Sequence, residues 1–272
     1  MDRGYTTLDE TLDLDAHVAL GRDLISSWMV DRPSVLVRNH PAHRVAIVHG
    51  LCAHAHHLAR PALDLIENGD ALSAVSLVRT IYEGALTAHW TVQVRDASEA
   101  FILEENRQRS KLRRSVTASS IASSFAEGAA LTAHGDAAQH AIETTSATQA
   151  QHFKHLTNDL APGGSDAYTY YGFLSHLTHA SGMTAEHYVE LTEASPGVRL
   201  LQSPKRKPLE ADWLAFFIAA SLVWAGRARD MIELDHPRRK ELRQAARRLG
   251  IAVELQPSQA AWFRTSRRSK SP

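Results

Sequence analysis

In the stretch ALSAVSLVRTIYEGALTAHW, residues 71–90, apolar side chains recur with the period of one long amphipathic helix. Its two charged residues, Arg79 and Glu83, are one helical turn apart and project from the same side as the apolar stripe. A buried charge without a partner costs about 3–5 kcal/mol, so these side chains are expected to pair with polar groups. The sequence therefore predicts a buried polar site on this helix.

The composition of the 272-residue chain is that of an ordinary globular protein, with 44% hydrophobic and 22% charged residues. Thirty basic and thirty acidic residues give a net charge of zero, which provides no overall field favouring nucleic acid or membrane. The single cysteine, Cys52, excludes an internal disulfide, and we expect a cytoplasmic protein. The most apolar run, residues 213–225, is shorter than the roughly 20 residues that span a membrane, so no membrane contact is expected.

Helical periodicity recurs along the chain, whereas no alternating pattern is strong enough to build a sheet. We predict an all-α, single-domain bundle of about seven or eight helices over residues 1–256, followed by a mobile basic tail over residues 257–272. The helix 210–234 is apolar nearly all round and is expected at the centre of the bundle. The predicted helices cover residues 12–30, 44–68, 71–90, 99–125, 127–153, 167–191, 210–234 and 237–250, with a short strand over 198–202.

The predicted helix 167–191 carries a ridge of polar residues on one face. If this ridge faces Arg79 and Glu83, the side chains either satisfy one another as a network that fixes helix register or line a cleft. In the cleft, Arg79 would bind an anion and His179 would move protons. The candidate catalytic residues are Arg79, Glu83 and His179, and the candidate ligand-binding residues are Tyr82, Tyr168, Tyr171 and Ser175, with Gly172 allowing close approach.

These two motifs resemble those of an uncharacterised family of all-helical bacterial domains. The resemblance is carried by an Arg-x-x-x-Glu helix, here Arg79 to Glu83 after Asn-Gly-Asp, and by a Tyr-x-x-x-Ser-x-x-x-His helix, here Tyr171 to His179. It covers roughly residues 40–235. The resemblance implies a helical fold and a shared site, but it implies no established reaction.

Sixteen histidines make a metal site a second hypothesis, because imidazoles three or four residues apart lie on one helix face. However, no His-Glu-x-x-His or Glu-x-x-His motif occurs, so we expect histidines of the core or the surface and no cofactor. The histidines considered are His49, His54, His56 and His57, which crowd one predicted helix, and the pairs His152 and His155 and His176 and His179, each three residues apart.

The segment Arg38-Asn-His-Pro-Ala-His43 resembles the signature of helical HEPN-type ribonucleases. That resemblance implies an arginine that stabilises a phosphate and a histidine that acts on a 2′-hydroxyl. Pro41 interrupts the motif where the helix of that family is continuous.

Three functions therefore stay open. The leading hypothesis is a cytoplasmic helical protein whose polar pocket binds a small anionic ligand or a partner in a regulatory or defence setting. The second is a HEPN-like, metal-independent ribonuclease that uses Arg79 or Arg38 with His179 or His43. The third is a structural bundle that forms a homodimer through an apolar helix face.

The basic stretches at 205–207 and 238–270 could touch nucleic acid, but we interpret them as solvated surface.

Overall fold

The computed structural model describes residues 13–30, 37, 40–118, 143–192, 197–205 and 208–266. Within these residues the fold is all-α, as predicted, with eleven helices and two short two-stranded sheets. The helices are α1 Leu14–Trp28, α2 Ala42–Glu67, α3 Ala71–Gln93, α4 Ala97–Thr117, α5 Ala147–Gln151, α6 Phe153–Asn158, α7 Gly164–Thr178, α8 Gly182–Glu186, α9 Pro208–Ile232, α10 Arg239–Arg248 and α11 Gln259–Ser266. The strands are β1 Leu160–Ala161, β2 Val189–Leu191, β3 Val198–Leu200 and β4 Gln256–Pro257.

The helix count exceeds the prediction because two predicted helices are divided and because α11 lies in the segment predicted as a tail. The predicted helix 127–153 lies largely outside the described residues, and its end forms α5 and the start of α6. The predicted helix 167–191 ends early, since His179 adopts an extended conformation with φ −96° and ψ 160°. Ser181 then caps α8 by accepting the Thr184 N–H. The predicted strand is present as β3, which pairs with β2.

The core forms where α3 packs against both α2 and α9, with α1 against α9. Trp90 of α3 and Ile218 of α9 are both fully buried, as the apolar periodicity of their helices predicts. Trp213, near the start of α9, is an exception because 41% of its surface is exposed. Of the described helices, only the segment Ala211–Ile232 is long and apolar enough to cross a membrane, and 78% of it is buried inside the molecule.

The prediction of a mobile tail is wrong for residues 257–266, because this segment is docked onto the bundle. β4 pairs antiparallel with β1, and α11 follows it. The anchor is Asp159, which is 3% exposed and accepts hydrogen bonds from Arg264 at 2.8 Å and from the Trp90 indole at 3.0 Å. A buried carboxylate requires such partners, and α11 supplies the cation. Residues 267–272 lie outside the described part of the chain.

Candidate functional site

Arg79 links α3 to α7 through two hydroxyl groups. Its Nε atom donates a hydrogen bond of 3.0 Å to Ser175 Oγ, and its Nη2 atom donates to the hydroxyl of Tyr171. The guanidinium also lies over the Tyr171 ring, 4.8 Å from the ring centroid. Tyr171 and Ser175 are four residues apart and so occupy one face of α7, which allows a single guanidinium to reach both. We call Arg79, Glu83, Tyr171 and Ser175 the Arg79 cluster.

Glu83 lies one turn further along α3, with its carboxylate 3.7 Å from Arg79 Nη2. The two side chains are 27% and 41% exposed, so the expectation of a fully buried charge pair is corrected to a half-buried one. Burial raises the pKa of Glu83 above its ordinary value, although Arg79 and a hydrogen bond with Tyr171 act to lower it. Glu83 therefore loses its proton less readily than an exposed glutamate.

The two other candidate tyrosines, Tyr82 and Tyr168, differ in their exposure to solvent. Tyr82 is 1% exposed, and its hydroxyl donates to the Ala167 carbonyl at 3.2 Å. Burial raises its pKa, so the phenol stays neutral in the core and is closed to a ligand, contrary to our expectation. Tyr168 is 36% exposed and stacks on Tyr171 with ring centroids 6.2 Å apart. Tyr168 thus extends the Arg79 cluster towards solvent.

His179 is not part of the Arg79 cluster. It is exposed and follows the last residue of α7, so the helical spacing from Tyr171 and Ser175 does not continue to it. Its carbonyl accepts from Thr184 Oγ1 at 2.9 Å, and its ring makes no hydrogen bond within the described residues. His179 therefore has no contact with Arg79 through which the expected proton transfer could take place. A Cβ at Gly172 would meet nothing within 4 Å, so open space lies there instead of a closely approaching group.

Two residues of α6, Phe153 and Lys154, join the site without any local sequence signal that marks them. The Phe153 ring lies 4.4 Å from the Tyr171 ring, and the Lys154 Nζ atom lies 5.7 Å from the centroid of Tyr168. Lys154 therefore places a second positive charge beside the stacked tyrosines. The predicted helix 127–153 ends at Phe153, which is the first residue of the short helix that carries both side chains.

Of the α2 histidines considered as metal ligands, only His56 is buried, whereas His49, His54 and His57 are exposed. His56 is 2% exposed, stacks on Trp28 at 4.1 Å and donates from Nδ1 to the Cys52 carbonyl at 2.7 Å. Burial lowers the pKa of His56 to about 3. His49 accepts a hydrogen bond of 3.0 Å from Arg229 Nε. Within the described part of the chain, no three His, Cys, Asp or Glu side chains are grouped to hold a metal.

The segment that resembles a ribonuclease motif is only partly described. Arg38 lies outside the described residues. Pro41 precedes the first residue of α2, so the helix begins inside the motif. His43 is 40% exposed, and its Nε2 atom lies 3.5 Å from the carboxylate of Glu99. The ribonuclease hypothesis stays a prediction.

The fold and the cluster define an all-helical protein in which one arginine cross-links two helices through hydroxyl groups. The chain belongs to DUF5677, a family of unknown function, whose model matches residues 45–196. This confirms the expected resemblance to an uncharacterised helical family, and the matched region contains the whole Arg79 cluster. No curated protein and no solved structure matches the chain.

Proposed function

We propose that the Arg79 cluster binds a small anionic ligand. The observation that carries the proposal is the incomplete neutralisation of Arg79, which contacts two uncharged hydroxyls and a carboxylate at 3.7 Å. Its side chain is 27% exposed, and its Nη1 atom makes no hydrogen bond within the described residues. Because its hydrogen bonds go to hydroxyl groups and the Glu83 carboxylate lies at 3.7 Å, the guanidinium keeps free N–H groups for a carboxylate or phosphate.

The groups around Arg79 favour the binding of an anion over that of a cation. Lys154 adds a second positive charge beside Tyr168, and Tyr168 is itself exposed at the edge of the cluster. The open space beside Gly172 lies on the same helix face as Tyr168 and Ser175, and it leaves room for a ligand. Such convergence of a few polar groups on aromatic walls is typical of small-molecule sites.

Glu83 opposes the anion and tunes its affinity. An ionised carboxylate 3.7 Å from Arg79 competes with the ligand for the same guanidinium. Because burial raises the pKa of Glu83, the neutral form is reached at a higher pH than in an exposed glutamate. Binding of the anion is therefore expected to tighten as the pH falls and Glu83 gains its proton. A ligand-sensing role in a regulatory or defence setting fits such a site.

Calorimetric titration with inorganic phosphate tests the proposal. Arg79→Gln is expected to weaken phosphate binding about 10- to 100-fold, which corresponds to the loss of a charge-assisted hydrogen bond. Glu83→Gln is expected to tighten binding because the competing carboxylate is gone. The matched control is Arg109→Gln, which removes an exposed arginine that also pairs with a glutamate four residues away. Equal phosphate affinity in the wild type and Arg79→Gln would overturn the proposal.

A further inference from the structure

The outward face of α10 is a dense patch of positive charge. Leu242, Ala245 and Ala246 of this ten-residue helix are buried against the bundle. Six side chains of the helix are exposed, and five of these are cationic. The exposed cations are Arg239, Lys240, Arg243, Arg247 and Arg248, and we call them the α10 basic face.

No acidic side chain neutralises the α10 basic face within the described residues. Glu241, the only acid of the helix, accepts hydrogen bonds from the buried Arg238 and from Ser27. The charged helix α4 differs, because Arg107 pairs with Glu104 and Arg109 pairs with Glu105, each at 2.7 Å. The patch therefore stands out locally in a chain whose net charge is zero.

Helix stability accounts for only part of this pattern, because Arg247 and Arg248 lie in the last turn, where the helix dipole favours cations. Arg239 and Lys240 lie in the first turn of α10, where the helix dipole favours acidic side chains and disfavours cations. The like charges of Arg239, Arg243 and Arg247, each four residues apart, repel one another by a few tenths of a kcal/mol per pair. Arrangements that oppose stability on an exposed face are better explained by a binding partner that carries negative charge.

We propose that the α10 basic face binds the phosphate backbone of a nucleic acid. Arg239, Arg243 and Arg247 form a row with about 6 Å between neighbours along the helix axis. Such a row matches a linear array of phosphates, and each guanidinium can grip one phosphate with two N–H groups. A membrane fits less well, because the apolar side of α10 is buried in the bundle and cannot enter a lipid bilayer. The face carries no aromatic residue for base stacking, so we assign it to the backbone.

Fluorescence anisotropy with a labelled 20-base-pair duplex DNA tests this inference on the full chain. Wild-type affinity is expected to fall by roughly two to three orders of magnitude between 50 and 200 mM salt if about five phosphates are contacted. The triple change Arg239→Gln, Arg243→Gln and Arg247→Gln is expected to weaken binding at least about tenfold and to lower the salt slope by about 3. Replacement of the same three arginines by lysine is expected to keep most of the affinity, since the charge is kept.

The matched control makes the same change of charge on α4, with Arg107→Gln, Arg109→Gln and Lys111→Gln. This control is expected to leave DNA binding unchanged, and a thermal melt verifies that all variants are folded. Equal losses in both triple variants would overturn the inference, as would a wild-type protein that does not bind DNA at 50 mM salt. Binding to vesicles of phosphatidylserine and phosphatidylcholine, without binding to DNA, would also overturn it.

Discussion

Arg79 Nε lies 3.0 Å from Ser175 Oγ, although the two residues are 96 positions apart in the chain. This hydrogen bond, together with the one from Arg79 to Tyr171, holds α7 against the central helix α3. The same guanidinium is half-buried, so it contributes both to helix packing and to a surface that a ligand can reach. Substitutions of Arg79 are therefore expected to affect the free energy of unfolding and the affinity for an anion separately.

Arg79→Ala is expected to lower the free energy of unfolding by about 1–2 kcal/mol, because hydrogen bonds from a charged donor are lost at a half-exposed position. The full 3 kcal/mol or more of a buried, unpaired charge is not expected, since Glu83 reaches solvent. Urea unfolding measures the difference. A second variant, Arg79→Met with Glu83→Leu, removes both charges and is expected to recover part of the loss. An unchanged free energy for Arg79→Ala would contradict the packing role.

Two glycines of α7 provide a matched pair of substitutions. A Cβ at Gly164 would lie 2.1 Å from the Thr157 carbonyl oxygen, whereas a Cβ at Gly172 would meet nothing within 4 Å. Gly164→Ala is therefore expected to cost about 3 kcal/mol through backbone displacement. Gly172→Ala is expected to stabilise the protein by about 0.5–1 kcal/mol, because alanine is the better helix former. Thermal melts compare the two, and similar effects would contradict the packing of α7 on α6.

Buried neutral histidines are expected to make the protein acid-sensitive. His89 is fully buried, donates from Nδ1 to the Trp224 carbonyl and accepts the Leu255 N–H at Nε2. Burial lowers the pKa of His89 to about 4 and that of His56 to about 3. The unfolded chain takes up these protons near pH 6.5, so stability is complete above that pH and falls as the pH decreases towards 4.

Each of these two histidines is expected to lower the free energy of unfolding by on the order of 2 kcal/mol when the pH falls to 5. Urea unfolding at pH 7, 6 and 5 measures the loss. A free energy of unfolding that stays constant across this range would show that His56 and His89 are not buried as neutral side chains.

The contact between Asp159 and Arg264 is expected to hold α11 on the bundle. Arg264→Ala leaves the buried Asp159 carboxylate with the Trp90 indole but without a cation, at a cost of about 3 kcal/mol. Hydrogen exchange of residues 259–266 is expected to accelerate. Arg199→Ala removes an exposed ion pair with Glu190 and serves as the control, with an effect below about 1 kcal/mol. Unaltered exchange in Arg264→Ala would show that α11 docks by other contacts.

Local periodicity was sufficient to predict the helices that build the core. Residues 71–90 predicted α3, which extends from Ala71 to Gln93, and the spacing of Tyr171 and Ser175 placed both on one helix face. Arg79 is identifiable from the sequence because a charge on an apolar stripe requires a partner. In these cases each inference depended on residues within a few helical turns.

The features that the sequence did not reveal depend on helix ends and on distant contacts. The end of α7 at Thr178, which excludes His179 from the site, follows from the Ser181 cap of the next helix. Lys154 reaches Tyr168 only because α6 is a separate short helix. The pairing of Asp159 with Arg264 spans 105 positions, and no local pattern links such residues.

Native mass spectrometry of wild-type protein and of Arg79→Gln, expressed and purified in parallel, tests most directly whether Arg79 holds an anion. We predict that wild-type protein, and the Arg109→Gln control, carry a small anionic adduct after incubation with inorganic phosphate and that Arg79→Gln carries none. An adduct of equal occupancy on Arg79→Gln, or wild-type protein at the bare mass of the chain, would contradict the assignment of an anion site to Arg79.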